Sequence, residues 1–369
     1  MKIGVPKEVK IKENRVAAAP ATARMLVQAG HEVLVQAGAG LGSGYSDELY
    51  ARCGARLVAT AAEAWSADMV LKVKEPVPEE FDFLRPGLLL FTYLHLAANR
   101  LLIDALLRSG TSGLAYETVQ VGRRLPLLEP MSEIAGRMSV VVGAYYLSKA
   151  QGGAGVLLGG VPGVLPGHVL IIGGGTAGIN AGRVAAGIGA EVTILEVDLE
   201  QMRFLDISLH HEAHTLYSNE QNLLEMLPQV DLLIGAVLVP GAKAPRLIRR
   251  EMLRVMKPGA VFVDIAIDQG GCAETSRPTT HENPIYVEED TLHYCVTNMP
   301  GAYARTATQA LTNATTPYAL KLANLGLEEA LRQVPELRPG LNTHAGALTN
   351  PAVAAAHSLP CHVLKTENI

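Results

Sequence analysis

Three glycines follow directly on a short apolar run of the chain. Gly173, Gly175 and Gly178 form the pattern GxGxxG immediately after His168–Ile172. In a strand–turn–helix unit, the first glycine permits a tight turn, the second lets the backbone approach a pyrophosphate, and the third lets helix and strand pack closely. The N–H groups at the start of the helix then attract phosphate. The pattern predicts a dinucleotide site, although three glycines alone also occur in turns without a ligand.

An acidic residue makes this prediction more specific. Glu196 lies 18 residues after Gly178, at the end of a second apolar run, Glu191–Leu195. At this position a carboxylate accepts hydrogen bonds from the adenosine ribose hydroxyls. It would repel a 2′-phosphate, so it favours NAD over NADP. Asp198 is a less favoured candidate for the same role.

Arg15, Lys74 and His95 are ionisable residues that follow other apolar runs. A guanidinium can grip a carboxylate with two parallel hydrogen bonds. Lys74 is favoured over Lys72 because ligands of open α/β sheets lie beyond the carboxyl ends of strands. Histidine has an ordinary pKa near ~6.5, which suits proton transfer at neutral pH. From the residues alone, a solvated surface arginine, a charged strand end and a satisfied core histidine remain open alternatives.

Asp268 follows a further apolar run in the segment Ile265–Gly271. A carboxylate there could orient water or stabilise a cation, but aspartate is also common in turns. Asp264 is the competing candidate if the predicted strand ends elsewhere.

Short apolar strands alternate with helices along most of the chain, which predicts an α/β fold with mostly parallel sheets covered on both faces. The predicted helices are Pro20–Ala29, Arg100–Leu107, Ser132–Lys149, residues 305–323 and Ala352–His357. The predicted strands are Lys2–Val5, His31–Val35, Ala67–Val73, Leu88–Leu94, Ser112–Thr118, His168–Ile172, Glu191–Leu195, Asp231–Ala236 and Ala260–Ile265.

The composition is that of a globular protein of more than one domain. A chain of 369 residues with 49% hydrophobic and 18% charged residues predicts two domains. A net charge of −5 gives no basis for binding nucleic acid or an anionic membrane. The N-terminal residues lack the apolar segment of a secretory signal, and no run has the ~18 apolar residues of a membrane span. The four widely spaced cysteines predict free thiols in a reducing cytoplasm.

Several sequence blocks, in order and in spacing, resemble alanine dehydrogenase, of the family that also contains the transhydrogenase nucleotide-binding subunit. The blocks include GVPKE, LKVKEP, LFTYLHLA, AYETVQ, PLLEPMSEIAGRM, IGAVLVPGAKAP, VDIAIDQGGC and YCVTNMPGA. The resemblance implies two Rossmann-like domains with the active site in the cleft between them. The substrate domain would comprise residues 1–128 with 306–369, and the NAD-binding domain residues 129–305. It also implies oxidative deamination of L-alanine to pyruvate and ammonia, and a homohexamer.

The resemblance assigns roles to residues of this chain. Arg15 and Lys74 would bind the substrate, bordered by Met131 and Asn298, while His95 and Asp268 would be catalytic. The implied cofactor contacts are Ser132, Gly173, Gly175, Thr176, Ala177, Gly178, Glu196, Ser218, Val237, Leu238, Ile265, Ala266, Ile267, Asp268, Arg277, Val296, Thr297, Asn298 and Met299.

The chain departs from the family pattern at three places. Glu196 stands where relatives usually have aspartate. Some members hold Mg²⁺ with a glutamate matching Glu117 and a histidine, but Leu325 occupies the histidine position here, so we expect no metal. Residues 359–369 match no family block, and we expect disorder there. Two other functions remain open: that of the transhydrogenase subunit, which would need a membrane partner and no substrate clamp, and that of a non-catalytic NAD sensor.

Overall fold

The computed structural model describes residues 1–239 and 243–362, which form fifteen β-strands and twelve α-helices. The strands are β1 (Lys2–Val5), β2 (Glu32–Gln36), β3 (Arg56–Val58), β4 (Met69–Leu71), β5 (Leu89–Thr92), β6 (Ser112–Ala115), β7 (His168–Ile172), β8 (Glu191–Glu196), β9 (His214–Tyr217), β10 (Leu232–Gly235), β11 (Val261–Asp264), β12 (Ile285–Glu288), β13 (Thr291–Tyr294), β14 (Leu341–His344) and β15 (Ala347–Leu348). The helices are α1 (Pro20–Gln28), α2 (Asp47–Arg52), α3 (Ala61–Trp65), α4 (Arg100–Ser109), α5 (Glu129–Tyr146), α6 (Thr176–Gly187), α7 (Leu199–Ser208), α8 (Glu220–Met226), α9 (Arg250–Leu253), α10 (Ala304–Leu325), α11 (Leu327–Gln333) and α12 (Pro351–His357).

The described chain divides into two compact units. The first comprises Met1–Met131 with residues 301–362, and the second comprises Ser132–Val239 with residues 243–300. The domain boundaries expected at 128/129 and 305/306 stay a prediction. Three residues of the block IGAVLVPGAKAP and the end of the expected disordered tail lie outside the described residues.

The first unit is built on an eight-stranded sheet of order β15-β14-β6-β5-β4-β1-β2-β3. The pairs from β6 to β3 are parallel, while β14 runs antiparallel to both β6 and β15. Every residue of β4, β5 and β6 is buried, as is typical of strands covered on both faces. The mostly parallel α/β sheet predicted from the sequence is confirmed here.

The second unit is built on a seven-stranded sheet of order β12-β13-β11-β10-β7-β8-β9. Only β12 is antiparallel to its neighbour. Alternate residues of β7 enter different core clusters: Val169 and Ile171 pack in one, Leu170 and Ile172 in the other. This alternation follows from the two-residue period of a strand and explains why the β7 sequence is apolar throughout.

Some elements differ from the sequence predictions. The strand predicted over Ser112–Thr118 ends at Ala115, and Tyr116–Thr118 forms a 3₁₀ turn instead. The helix predicted over Ser132–Lys149 runs from Glu129 to Tyr146. The edge strands β3 and β9 were missed because they are short and partly exposed, so they lack a continuous apolar run. No helix within residues 1–239 and 243–362 has the length and apolar character needed to cross a membrane.

Two glycines of α6 should respond differently to alanine. A Cβ at Gly178 would lie 1.9 Å from the carbonyl oxygen of Gly173, whereas a Cβ at Gly187 would meet nothing within 4 Å. We expect Gly178→Ala to lower the free energy of unfolding by about 1–3 kcal/mol through overpacking. Gly187→Ala, the matched control, should leave it unchanged or raise it by up to about 1 kcal/mol. Urea denaturation of both variants measures this, and equal losses would contradict the close approach.

Candidate functional site

The glycine-rich turn of the second unit lies between β7 and α6. Gly173 has a φ of +99°, and a Cβ on it would lie 2.7 Å from the carbonyl oxygen of Ala236. Gly178 fits closely under the same turn, while Gly175 is exposed and has open space where a side chain would stand. Helix α6 begins without a side-chain cap, so its first N–H groups are available to an anion. These residues fit the pyrophosphate of a dinucleotide.

Glu196 is held against this turn by its carboxylate. Its Oε2 accepts the N–H of Gly174 at 2.8 Å, and its Oε1 accepts the N–H of Val197 at 2.7 Å. Oε1 also accepts the N–H of Asp198 at 3.1 Å. A carboxylate has about four lone-pair positions, so one remains for a ribose hydroxyl. Asp198 instead caps helix α7 by accepting the N–H of Glu200 at 2.9 Å. The geometry therefore favours Glu196 over Asp198 as the acid beside the nucleotide.

The other expected cofactor positions of the second unit follow strands of one parallel sheet. The carboxyl ends of β7 to β11 and of β13 lie at a single edge of the sheet, and residues there come from segments far apart in sequence. The positions at this edge are Gly173, Glu196, Ser218, Val237, Leu238, Ile265, Ala266, Ile267, Asp268, Val296, Thr297, Asn298 and Met299.

Four expected contacts come from other elements. Thr176 and Ala177 form the first turn of α6. Ser132 lies on α5 one turn before Gly136, where a Cβ would stand only 2.1 Å from the carbonyl oxygen of Ala177. Helix α5 thus passes the start of α6, and Ser132 is brought toward the glycine-rich turn. Arg277 is placed differently: its guanidinium stacks 3.8 Å from the ring centre of Tyr286.

Asp268 and Asn298 are brought together at this edge. Asp268 is exposed on the 3₁₀ turn Ile265–Gln269, and its Oδ1 accepts the backbone N–H of Asn298 at 3.1 Å. The competing candidate, Asp264, is buried and accepts the N–H groups of Ala266 and Cys272. Burial raises the pKa of Asp264 against these hydrogen bonds. Asp264 therefore fixes the loop, and Asp268 is the carboxylate presented to solvent.

In the first unit, too, candidate residues follow the carboxyl ends of parallel strands, but here they are ionisable side chains. Arg15, Lys74, His95 and Glu117 follow β1, β4, β5 and β6, four adjacent parallel strands. Their side chains thus belong to one edge of the sheet, although they come from across the first third of the chain.

Arg15 is a buried arginine with an internal partner. Its side chain is only 2% exposed, and its Nε and Nη2 donate to the Glu13 carboxylate at 2.7 and 2.5 Å. Burial opposes the charge, but Glu13 outweighs it and raises the pKa of Arg15 above its ordinary value. Nη1 donates to the sulfur of Met131 at 3.1 Å. The structure thus joins two expected substrate residues and excludes a solvated surface role for Arg15.

The two lysines beyond β4 differ sharply in their surroundings. Lys72 is fully buried, with its Nζ 2.8 Å from Glu80 and 3.2 Å from Glu8. Lys74 is 8% exposed, and its ammonium makes no hydrogen bond or ion pair with any residue that the structure describes. A nearly buried cation without a counter-charge is costly unless a ligand supplies one. Lys72 is therefore structural, and Lys74 is the lysine suited to an anionic ligand.

His95 occupies a turn just after β5. It is half-buried, has left-handed backbone angles (φ 48°, ψ 38°) and stacks on Tyr93 with ring centres 5.8 Å apart. The Glu117 carboxylate accepts the backbone N–H groups of His95 and Leu94, at 2.6 and 3.2 Å. Burial raises the pKa of Glu117 to about 7, against the effect of these hydrogen bonds. Glu117 thus holds the turn that presents His95.

Glu13 and Glu117 are the residues near the site that sequence reasoning missed as contributors to its geometry. Glu13 lies two residues before Arg15, and Glu117 lies in the block AYETVQ. Neither spacing indicates which side chain or backbone group the carboxylate meets. Within the described residues no cluster of three metal-binding side chains occurs, and Leu325 is the last residue of α10.

Two family models together match most of the chain. The model described as "Alanine dehydrogenase/PNT, N-terminal domain" matches residues 4–135, and "Alanine dehydrogenase/PNT, C-terminal domain" matches residues 139–351. The chain belongs to the alanine dehydrogenase/PNT family.

Relatives within this family are similar over nearly their whole length. The alanine dehydrogenases of Methanococcus maripaludis and Bacillus subtilis are both 54% identical to the chain. The alignments cover 98% and 96% of the chain, and 97% and 94% of the relatives. A solved L-alanine dehydrogenase has a TM-score of 0.92 at 50% identity, covering 97% of this chain and 99% of that one. The transhydrogenase from Sinorhizobium meliloti has a TM-score of 0.79 at 27% identity, covering 95% and 100%.

Amide hydrogen exchange can test whether the Glu117 carboxylate stabilises the His95 turn. We expect Glu117→Gln to speed exchange at Leu94 and His95 by about tenfold or more, because a charge-assisted hydrogen bond contributes ~1.5–3 kcal/mol. Glu63→Gln is the matched control, since Glu63 also accepts two consecutive backbone N–H groups, those of Ala59 and Thr60. The control should change exchange only at residues 59 and 60. Unchanged exchange at residues 94 and 95 would remove Glu117 from this role.

Proposed function

We propose that this protein is an NAD-dependent alanine dehydrogenase. It would convert L-alanine, NAD⁺ and water into pyruvate, ammonium, NADH and a proton. The observation that carries the proposal is Lys74, a residue only 8% exposed whose ammonium has no carboxylate partner among the described residues, at the same sheet edge as Arg15 and His95. Such a set would suit the binding and conversion of a small carboxylic acid, and the alanine dehydrogenase relatives are similar over almost the whole chain.

Arg15 and Lys74 would bind the substrate carboxylate. Both cations are nearly buried, so their interaction with a carboxylate is little screened by solvent. Met131, in contact with Arg15, would border the substrate, as would Asn298. Holding the carboxylate fixes the position of Cα, which proximity catalysis requires.

NAD would lie on the glycine-rich turn, with its pyrophosphate at the start of α6 and its ribose at Glu196. Bound NAD⁺ supplies the acceptor for the hydride that leaves Cα. Support for NAD rather than NADP comes from the Glu196 carboxylate, which is fixed beside Gly174 and would repel a 2′-phosphate. The remaining expected contacts around the same sheet edge would hold the nicotinamide half.

His95 would transfer the protons of the hydrolytic half-reaction. After hydride loss the substrate is an imine, and His95 would deprotonate the attacking water and then assist the collapse that expels ammonia. Asp268, exposed on its turn, would stabilise the cationic imine and orient water.

The transhydrogenase function is the weaker candidate. The transhydrogenase structure is 27% identical to this chain, about half the identity of the alanine dehydrogenase structure. A subunit that only binds nucleotide needs neither a substrate clamp nor a proton-transfer histidine. The buried Lys74 and the His95 turn stabilised by Glu117 therefore favour the dehydrogenase. They also argue against a non-catalytic NAD sensor.

The cellular setting also belongs to the proposal. The four cysteines are free thiols, in keeping with a cytoplasmic location. Residues 1–128 with 306–369 would form the substrate domain, and residues 129–305 the NAD-binding domain. The proposal includes a homohexamer, and an exposed aliphatic segment of the second unit, where Leu157, Val161, Val164 and Leu165 are 54–88% exposed, would offer a surface for contact between copies.

The direct test is NADH formation from L-alanine by the purified protein with no second protein added. We expect turnover with L-alanine and NAD⁺, and the reverse reaction with pyruvate, ammonium and NADH. Absence of both, with NADH binding intact, would reject the dehydrogenase and favour a nucleotide-binding subunit or sensor.

Cofactor preference should depend on Glu196. We expect the wild-type enzyme to prefer NAD, and Glu196→Ser with Val197→Arg to relax that preference, because repulsion of a 2′-phosphate is replaced by attraction. The matched control is Glu191→Ser, which removes the same charge at the other end of β8. Equal or better catalytic efficiency of the wild type with NADP would contradict the assignment.

His95 and Asp268 should act as one unit in turnover. His95→Ala should lower kcat by ~10²–10⁴-fold with NADH binding retained, and Asp268→Asn should lower kcat more than NADH affinity. The double variant should lose less than the product of the single losses. His211→Ala with Asp206→Asn, an exposed pair joined at 3.0 Å, is the matched control and should leave kcat unchanged. Fully multiplicative losses would show that the two residues serve separate steps.

A further inference from the structure

Two buried hydroxyl groups lie beside the segment that carries Arg15. They belong to Ser43, at the end of the 3₁₀ turn Leu41–Ser43, and to Thr308, in the second turn of α10. Both residues are almost fully buried, and their hydroxyl oxygens lie 2.8 Å apart. Ser43 Oγ also lies 3.2 Å from the carbonyl oxygen of Ala304, in the first turn of the same helix. Buried hydroxyls are normally hydrogen-bonded, so their remaining partners show which parts of the chain they join.

The remaining partners are the backbone groups on either side of Arg15. The N–H of Val16 donates to Oγ1 of Thr308 at 3.1 Å, and Oγ of Ser43 donates to the carbonyl oxygen of Asn14 at 2.9 Å. A hydroxyl has one proton to donate, so when Ser43 donates to Asn14, Thr308 must donate within the hydroxyl pair. A continuous chain of hydrogen bonds then runs from the N–H that follows Arg15 to the carbonyl that precedes it.

The turn that carries Ser43 can reach Asn14 because a glycine precedes the serine. A Cβ on Gly42 would lie 2.7 Å from the carbonyl oxygen of Asn14 and 2.9 Å from its Cα. Such a close approach of two backbone segments requires a residue without a side chain. The glycine-rich block GAGLGSG, residues 38–44, thus brings a hydroxyl to the Arg15 segment.

The Glu13 carboxylate orients the Arg15 guanidinium but does not connect it to other elements. Glu13 precedes Arg15 by two residues, so the ion pair lies within a single segment of the chain. The Glu13 backbone N–H is likewise bonded locally, to the carbonyl oxygen of Lys10 at 3.0 Å. Ser43 and Thr308, in contrast, come from elements distant in the sequence. Their hydroxyls therefore tie the Arg15 segment to other parts of the first unit.

We propose that Ser43 and Thr308 are positioning residues that hold the Arg15 guanidinium at the correct distance from the substrate carboxylate. This inference rests on the proposed function, because it assumes that Arg15 binds that carboxylate. Hydrogen bonds from a guanidinium depend on distance and angle, so the Arg15 backbone must be held in place. A misplacement of about 1 Å can lower a reaction rate by about a hundredfold. The two hydroxyls prevent such a shift from both sides of Arg15.

The test compares two buried threonines of α10. Thr308→Val replaces the hydroxyl by a methyl group, so it removes the hydrogen bonds with little change in side-chain shape. Thr316→Val is the matched control, because Thr316 is also buried and its hydroxyl pairs with that of Thr22 on α1 at 2.8 Å. Each variant removes a buried hydroxyl from a hydrogen-bonded pair, and urea denaturation measures how much stability each one loses.

The readout is the binding of carboxylates to the full-length enzyme. We expect Thr308→Val to lower kcat/KM for pyruvate, with NADH and ammonium, by about tenfold or more, and to weaken inhibition by propionate by a similar factor. Propionate has the carboxylate but lacks the reacting carbonyl, so it reports on the carboxylate contact. The dissociation constant of NADH should be unchanged, because the expected cofactor contacts do not include Arg15. Thr316→Val should leave all three quantities unchanged, and Thr308→Ser, which keeps the hydroxyl, should restore both carboxylate values.

A second variant tests the other end of the hydrogen-bond chain. Ser43→Ala removes the donor to the Asn14 carbonyl, so it should lower the same two carboxylate values, and it decides the question if Thr308→Val does not fold. Unchanged carboxylate values in the folded hydroxyl variants would overturn this inference. Equal losses for pyruvate and NADH, or equal effects of Thr308→Val and Thr316→Val, would also overturn it, because they would indicate a structural role only. A wild-type enzyme inactive on pyruvate would instead overturn the proposed function.

Discussion

The two sets of candidate site residues, one in each unit, both depend on the parallel pairing of neighbouring strands. Parallel strands start at one edge of a sheet and end at the other, so every loop that follows a strand emerges on the same side. In the first unit this places Arg15, Lys74 and His95 after β1, β4 and β5. In the second unit it gathers the glycine-rich turn, Glu196 and Asp268. Residues of very different chemistry are positioned by one geometric rule, applied twice in the chain.

Strand pairing brings segments to one edge of a sheet but does not orient the side chains there. Carboxylates that accept hydrogen bonds fix the turns and side chains in place. Glu117 holds the His95 turn, Asp264 holds the turn that carries Asp268, and Glu13 holds the Arg15 guanidinium. Each of these three carboxylates accepts two or more hydrogen bonds in a partly or fully buried place. Hydrogen bonds to a carboxylate are stronger than those between neutral groups. Removing the carboxylate would leave buried N–H donors without an acceptor, which is costly. The residue type at these three carboxylate positions is therefore as restricted as at the positions whose conformation they fix.

Two of the presented residues adopt backbone angles that L-residues rarely take. His95 has a φ of 48° and Asn298 a φ of 61°. Such positions cost free energy and persist only where the surroundings stabilise them, and they occur preferentially at functional sites. In this protein the stabilising partners are the Glu117 carboxylate for His95 and the Asp268 carboxylate for Asn298. Local strain and carboxylate support thus occur together at both sheet edges.

The sequence by itself determined the features that depend on local pattern. The apolar run His168–Ile172, its three glycines and Glu196 predicted the strand, turn, helix and acid, because each part of that motif has a local steric or electrostatic reason. The tertiary structure decided between residues of equal chemical type. Lys72 and Lys74 both follow β4, but only packing shows that Glu8 and Glu80 meet Lys72. Asp264 and Asp268 differ in the same way, since burial and hydrogen-bond partners arise from segments distant in sequence. A charge can be read from a sequence, but its counter-charge is set by three-dimensional packing.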